Sequence, residues 1–149
     1  MKEQPYYGNI EVDSELPTLI KHPTPRQLVM WAGASGDFYE IHYSKDFALS
    51  RGLPSIIVQG DLTAAFLVQL VTDWMGEQGN FKKLRTMNRG MLFPDEDIIC
   101  KGKVSKKYIE GSNHFVECEV WAENNKGERR VMGMVLVTLP TRRIDMAVK

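Results

Sequence analysis

The sequence predicts an α+β fold: a single domain over residues 1–149 in which a long antiparallel sheet wraps one central helix. Three observations carry this. Gly60 opens an apolar run that reads as a helix of about four turns, ending at Gly76. From Phe81 onward the pattern changes to strands. Two turn-forming clusters, Glu110-Gly111-Ser112-Asn113 and Asn124-Asn125-Lys126-Gly127, join consecutive strand candidates as hairpins.

The elements follow in order. A first strand is expected around Gly8 to Ile20, with Pro17 making its end irregular. Thr24 followed by Pro25 and Gln27 reads as a helix start: an N-cap, a proline in the first turn and a capping-box partner. That helix carries Leu28, Val29, Trp31 and Ala32 and ends near Gly33 to Gly36. Asp37 to Tyr43 shows no clean period and reads as a loop. Ser44 caps a short helix to Leu49, stopped by Gly52. The helix from Gly60 has apolar residues on nearly every side, the signature of a core helix. Strands are predicted at Phe81–Asn88, Ile98–Ile109, His114–Glu123 and Arg129–Leu139, forming an antiparallel meander. Val116-Glu117-Cys118-Glu119-Val120 alternates apolar with acidic, as a strand with one buried face does.

Composition narrows the functional classes. The 149 residues are 43% hydrophobic and 26% charged, ordinary for one globular domain. Lys plus Arg equals Asp plus Glu at 19 each, so no basic surplus advertises nucleic acid or anionic membrane. Cys100 and Cys118 lack metal-ligand spacing and make no disulfide framework; each reads as a small buried hydrophobe. Met1 to Pro5 lack the apolar core of a signal peptide. Leu62 to Met75 is too short and too polar to span a bilayer. A reducing, cytoplasmic setting is the expectation.

Chemistry concentrates in one segment. Asp37 and His42 lie five positions apart in Gly36-Asp37-Phe38-Tyr39-Glu40-Ile41-His42. A carboxylate and an imidazole together can hold and transfer a proton at neutral pH. Gly60 follows eighteen residues after His42. A glycine opening a helix lets a ligand oxygen approach the unpaired N–H groups there, where the helix dipole favours negative charge. Asp61 in the same first turn would compete with an anion and must point away. His22 and His114 lie far from His42 in the chain and lack paired ligands, so no metal site is expected. Arg142-Arg143 and Lys101, Lys103, Lys106 and Lys107 could meet phosphates, although such short charge runs usually solvate a strand face. Trp31, Phe66, Trp74 and methionines 75, 87, 91, 132 and 134 read as core or interface packing.

Ala34 to Tyr43, with Phe47-Ala48, Gly52-Leu53-Pro54 and Gly60 downstream, resembles the signature of MaoC-like (R)-specific enoyl-thioester hydratases and dehydratases. Arg89 to Pro94 is similar to the strand before that family's Pro-Gly-Asp turn. The resemblance implies a hot-dog fold and pairing of two such units into a homodimer or heterodimer with continuous sheets. It implies that Asp37 and His42 are the acid–base pair, that Gly60 N–H is the oxyanion donor, and that Gln59 and Tyr39 are further substrate-binding positions. It implies an acyl thioester of coenzyme A or a carrier protein as substrate, with no other cofactor and no metal. Departures from the family pattern stand at Tyr39-Glu40, in place of Asn-Pro, at Gln59, often histidine, and at Val68, polar in some members. Asp95-Glu96-Asp97 stands in place of the Pro-Gly-Asp turn and reads as a solvated hairpin. Two other readings fit the same residues: a hot-dog thioesterase, and a subunit that shapes the acyl pocket of a heteromeric dehydratase.

Overall fold

The computed structural model describes residues 3–142; the expectations for Met1, Lys2 and Arg143, and both ends of the 1–149 domain span, lie outside the described residues. Helix α1 (Pro25–Ser35) begins as its sequence requires: the Thr24 side chain accepts from Gln27 N, and Pro25 occupies the first turn. It ends on Gly36 at φ 79°, a left-handed conformation that glycine adopts without strain. Ser44 caps α2 (Lys45–Ser50) by accepting from Phe47 N. Helix α3 (Gly60–Met75) is the central element.

The sheet has five antiparallel strands in the order β1 (Leu19–Lys21), β3 (Ile98–Glu110), β4 (Asn113–Glu123), β5 (Arg129–Thr138), β2 (Asn80–Asn88). The predicted meander therefore holds only for β3–β4–β5. β2 lies beyond β5 and pairs with it from Asn80↔Thr138 to Asn88↔Val131. Register shifts at Phe81/Lys83 and Val104/Lys106 mark bulges, which bend strands and help the sheet curl around a helix.

The expected strand over Gly8 to Ile20 is corrected. Tyr7–Asn9 forms a 3₁₀ turn, Glu15 makes one isolated bridge to Lys103, and only Leu19–Lys21 forms a ladder. Asp13 sits at φ 68° and Pro17 has no N–H to give, so the chain follows the edge of β3 through scattered bonds. Asp13 N donates to Val104 O and Leu16 N to Gly102 O.

α3 is buried along one stripe rather than all round. Leu62, Phe66 and Leu70 with Thr63, Leu67 and Val71 are buried, whereas Ala64, Ala65, Val68 and Gln69 are half-exposed. The stripe forms one core with Cys100, Val104, Val116, Cys118, Val120, Val135 and Val137 of the sheet. Burying each such aliphatic side chain is worth about 1.5–3 kcal/mol relative to leaving it in water. Of the methionines expected in core or interface packing, Met75 is in the core, while Met87, Met91 and Met134 are exposed on this chain. Gln4 closes the far end of α3: its Nε2 donates to Met75 O and its Oε1 accepts from Gln78 N.

Candidate active site

The segment predicted as a loop contains a 3₁₀ turn, Glu40–His42, closed by His42 N donating to Tyr39 O and Tyr43 N to Glu40 O. Without a proline, Glu40 supplies an ordinary N–H and C=O to this turn. Ile57 N donates to Ile41 O, which ties the turn to the chain leading into α3. Two sequence-distant pieces are thereby brought together: the segment bearing His42 and the N-terminus of α3.

His42 is 7% exposed. Its Nδ1 lies 2.7 Å from the carbonyl oxygen of Ile57. A carbonyl only accepts, so Nδ1 carries hydrogen and the neutral ring presents an unprotonated Nε2. Nε2 lies 3.6 Å from Asp37 Oδ2. That is too long for a direct hydrogen bond and short enough for one water to reach both atoms. Asp37 is held by its own turn: its N donates to Ser35 Oγ, and its Oδ1 accepts from Tyr39 N. One carboxylate oxygen thus fixes the loop and the other faces the imidazole.

A cavity of about 220 Å³ opens at the head of α3, lined by His42, Gly60, Thr63, Asn88, Met91 and Val131 among others. Gly60 is the first helical residue, so its N–H has no partner one turn earlier. A β-carbon at position 60 would lie 2.7 Å from Asn88 Nδ2, so a side chain there would displace its neighbour. A larger hollow of about 380 Å³ lies on the sheet between Lys83, Arg85, Glu117 and Met134. It includes neither member of the Asp37–His42 pair; the smaller cavity is lined by His42 and Gly60, while Asp37 stands outside its lining, its Oδ2 3.6 Å from His42 Nε2.

The other expected site residues take different places. Tyr39 is exposed, its ring edge-on to His42 at 6.3 Å and to Phe47 at 5.9 Å; it flanks the pair without lining the cavity. Gln59 is fully buried and its Nε2 donates 2.8 Å to Leu28 O, which fastens α1 to the start of α3. Its Oε1 is buried without a hydrogen-bond partner. Thr63, Asn88 and Met91 line the cavity but were not among the expected site residues. The Arg89 to Pro94 resemblance ran next to Asn88, yet only the pairing of β2 with β5 carries that residue to the head of α3.

The remaining charged residues are engaged elsewhere. His22 Nδ1 lies 2.8 Å from Asp97 Oδ1 at the exposed acidic turn. Lys101 pairs with Glu123 at 3.0 Å and Lys103 with Glu119 at 3.8 Å. Lys107 donates to Ile10 O, while Lys106 lies over the Tyr108 ring and Arg142 over Tyr6. Among the described residues, no group of three or more His, Cys, Asp or Glu could hold a metal ion. Among them, too, no helix is long and apolar enough to cross a membrane.

Residues 9–126 match the family of the MaoC like domain. The chain belongs to the MaoC-like domain family. No curated protein sequence matches it. Solved structures reproduce its fold at low identity. The (R)-hydratase from A. caviae involved in PHA biosynthesis is 20% identical over 88% of this chain and 98% of its own, with a TM-score of 0.79. R-hydratase PhaJ1 from Pseudomonas aeruginosa is 19% identical over 92% and 86%, with a TM-score of 0.82. A chain of the ChsH1-ChsH2 complex from Mycobacterium tuberculosis is 22% identical over 87% and 98%, with a TM-score of 0.76. The MaoC-like chain thus has the hot-dog fold: α3 lies across a five-stranded antiparallel sheet.

Proposed function

We propose that this MaoC-like chain catalyses (R)-specific hydration of trans-2-enoyl thioesters, or the reverse dehydration of 3-hydroxyacyl thioesters. One observation carries the reading: His42 Nε2 stands 3.6 Å from Asp37 Oδ2, and His42 shares its cavity with the head of α3. Both atoms accept, so a water between them donates one proton to each and leaves its oxygen lone pairs free for C3. As the oxygen adds to C3, one of the pair takes a proton. The same proton then returns to C2, so atoms balance with no outside acid. The other group holds the water in place. Proton transfer by a positioned group of this kind contributes about 10²–10⁴-fold.

Negative charge develops on the thioester oxygen as C3 is attacked. Gly60 N–H and the α3 dipole are the groups that would receive it. The thioester carbonyl itself makes C3 electrophilic, so the step as written needs neither metal nor redox cofactor. Coenzyme A or an acyl-carrier arm is the carrier class. Along β2, Lys82, Lys83 and Arg85 to Asn88 are all exposed. A second hot-dog unit, either a copy or a related chain, pairs along this edge strand in the proposal. The two free, buried thiols fit a reducing compartment such as the cytoplasm.

The test is loss of enoyl absorbance with trans-2-enoyl-CoA thioesters of rising chain length. Asp37→Asn and His42→Ala are each expected to lower turnover about 10³-fold while the circular dichroism spectrum stays that of the parent. Unchanged turnover in either variant overturns the mechanism. Release of free thiol with the enoyl bond intact would replace it with thioester hydrolysis.

A further inference from the structure

The cavity at the head of α3 holds three side chains with N–H or O–H groups: His42, Thr63 and Asn88. Two of them are already engaged. His42 Nδ1 lies 2.7 Å from Ile57 O, and Thr63 Oγ1 donates 3.2 Å to Gln59 O within the helix. The carboxamide of Asn88, an exposed residue in this chain, makes no hydrogen bond to another described residue, so both of its N–H groups are open to solvent or to a ligand.

Its position is set by the sheet. Asn88 is the last residue of β2 and stands opposite Val131, a core residue that is 2% exposed. Leu84 and Thr86 precede it at two-residue intervals, so all three share the inner face that turns toward α3. Its Nδ2 is 2.7 Å and its Oδ1 3.3 Å from where a Gly60 β-carbon would be. The amide therefore takes the space that a side chain at position 60 would need, and it lines the same cavity as Gly60. Any side chain larger than hydrogen at position 60 would occupy that space.

We propose that Asn88 is a catalytic residue: with Gly60 N–H, its Nδ2 donates the second hydrogen bond to the thioester oxygen. This rests on the enoyl-thioester reading above. A main-chain donor and a carboxamide that both reach the thioester oxygen would stabilise the enolate more than the ground-state carbonyl, because the charge on oxygen grows as C3 is attacked. The strand that carries the carboxamide is paired with β5, so the backbone of Asn88 is fixed before substrate arrives.

Two variants test this with trans-2-butenoyl-CoA and trans-2-decenoyl-CoA. Asn88→Ala is expected to lower kcat roughly 10²-fold, the effect of losing one oxyanion donor, with KM little changed. Asn88→Asp keeps the shape but puts a carboxylate beside the developing charge, and is expected to be at least about tenfold worse than the alanine variant. A residue that merely fills space would give the opposite order. The second readout is the carbonyl stretch of the thioester bound to Asp37→Asn protein. It should lie below that of the free thioester and move back toward it when Asn88→Ala is added. Turnover within twofold of wild type in both variants, with an unmoved carbonyl stretch, overturns the role of Asn88. No turnover by the wild type, with an Asn88-dependent carbonyl shift, keeps the donor and sinks hydration. Neither turnover nor shift sinks both.

Discussion

Glu123 and Asp37 both stand beside polar partners, and they are built in opposite ways. Glu123, at the end of β4, is 8% exposed, accepts from Trp121 Nε1 at 2.7 Å on one oxygen and pairs with Lys101 Nζ at 3.0 Å on the other. Arg129 stacks over the same Trp121 ring at 3.9 Å and adds its charge. Asp37 spends one oxygen on its own loop and leaves the other 3.6 Å from His42 Nε2, beyond direct hydrogen-bond reach. A carboxylate whose two oxygens are both closely paired holds a sheet together. One with an open oxygen facing an equally open imidazole nitrogen can take part in a reaction. Proximity of charges is common to both, and the unspent valence separates them.

That contrast can be broken or sharpened by experiment. The largest expected effect is at the open pair: Asp37→Asn or His42→Ala lowers enoyl-CoA turnover by 10³-fold or about that order, with thermal unfolding little moved. Equal losses of activity and stability would mean that the open pair is structural after all. Next, Gly60→Ala places a methyl 2.7 Å from Asn88 Nδ2 and is expected to lower kcat roughly 10²-fold. Urea unfolding should show the folded state retained, since the atom struck is the end of a side chain.

Glu123→Gln should do the reverse, sparing turnover and costing about 1–3 kcal/mol in urea unfolding. Burial pushes the Glu123 carboxyl up, but hydrogen bonds from Trp121 and Lys101 and the charges of Lys101 and Arg129 outweigh it and hold it below the usual range. Because the folded value is depressed, this stability is present above the ordinary carboxylate range. It is lost as pH falls through the lowered folded value. The pH dependence of unfolding in that window should flatten in Glu123→Gln. The smallest effect concerns Cys100 and Cys118. Burial raises both thiols to about 12, so iodoacetamide at pH 8 should label neither until the chain is unfolded.

Much of this was legible in the sequence because the signals were local. Thr24-Pro25-x-Gln27 fixes the start of α1 within one turn: the N-cap bond from Gln27 N to Thr24 Oγ1 and the first-turn proline form as read. The apolar run from Gly60 and the alternation around Val116 to Val120 are periodicities of single elements. What stayed hidden depends on contacts between elements. The placement of β2 outside β5 follows from which edge is free, and no residue of either strand encodes it alone. Gln59 looked like a site residue next to Gly60, but the carbonyl of Leu28 on α1 turns its side chain inward. Asn88 looked like the end of a strand, and only the β2–β5 register brings its amide to the head of α3. The stretch from Gly8 to Ile20 had extended-chain composition, but Asp13 and Pro17 break the regular ladder.

The strand order also sets a schedule. β4 closes on β3 and β5 closes on β4, each by a short hairpin. β2 is synthesised earlier than all three, yet its ladder partner in the chain is β5, the last strand to be made. During synthesis, Asn80–Asn88 has no ladder partner in its own chain until Arg129–Thr138 has been made, and pairing them closes a longer loop than either hairpin does. Asn88 is part of that late ladder, so the cavity at the head of α3 is completed only when the final strand docks. A nascent chain stalled before Arg129 would carry Asp37, His42 and Gly60 and still lack a finished pocket.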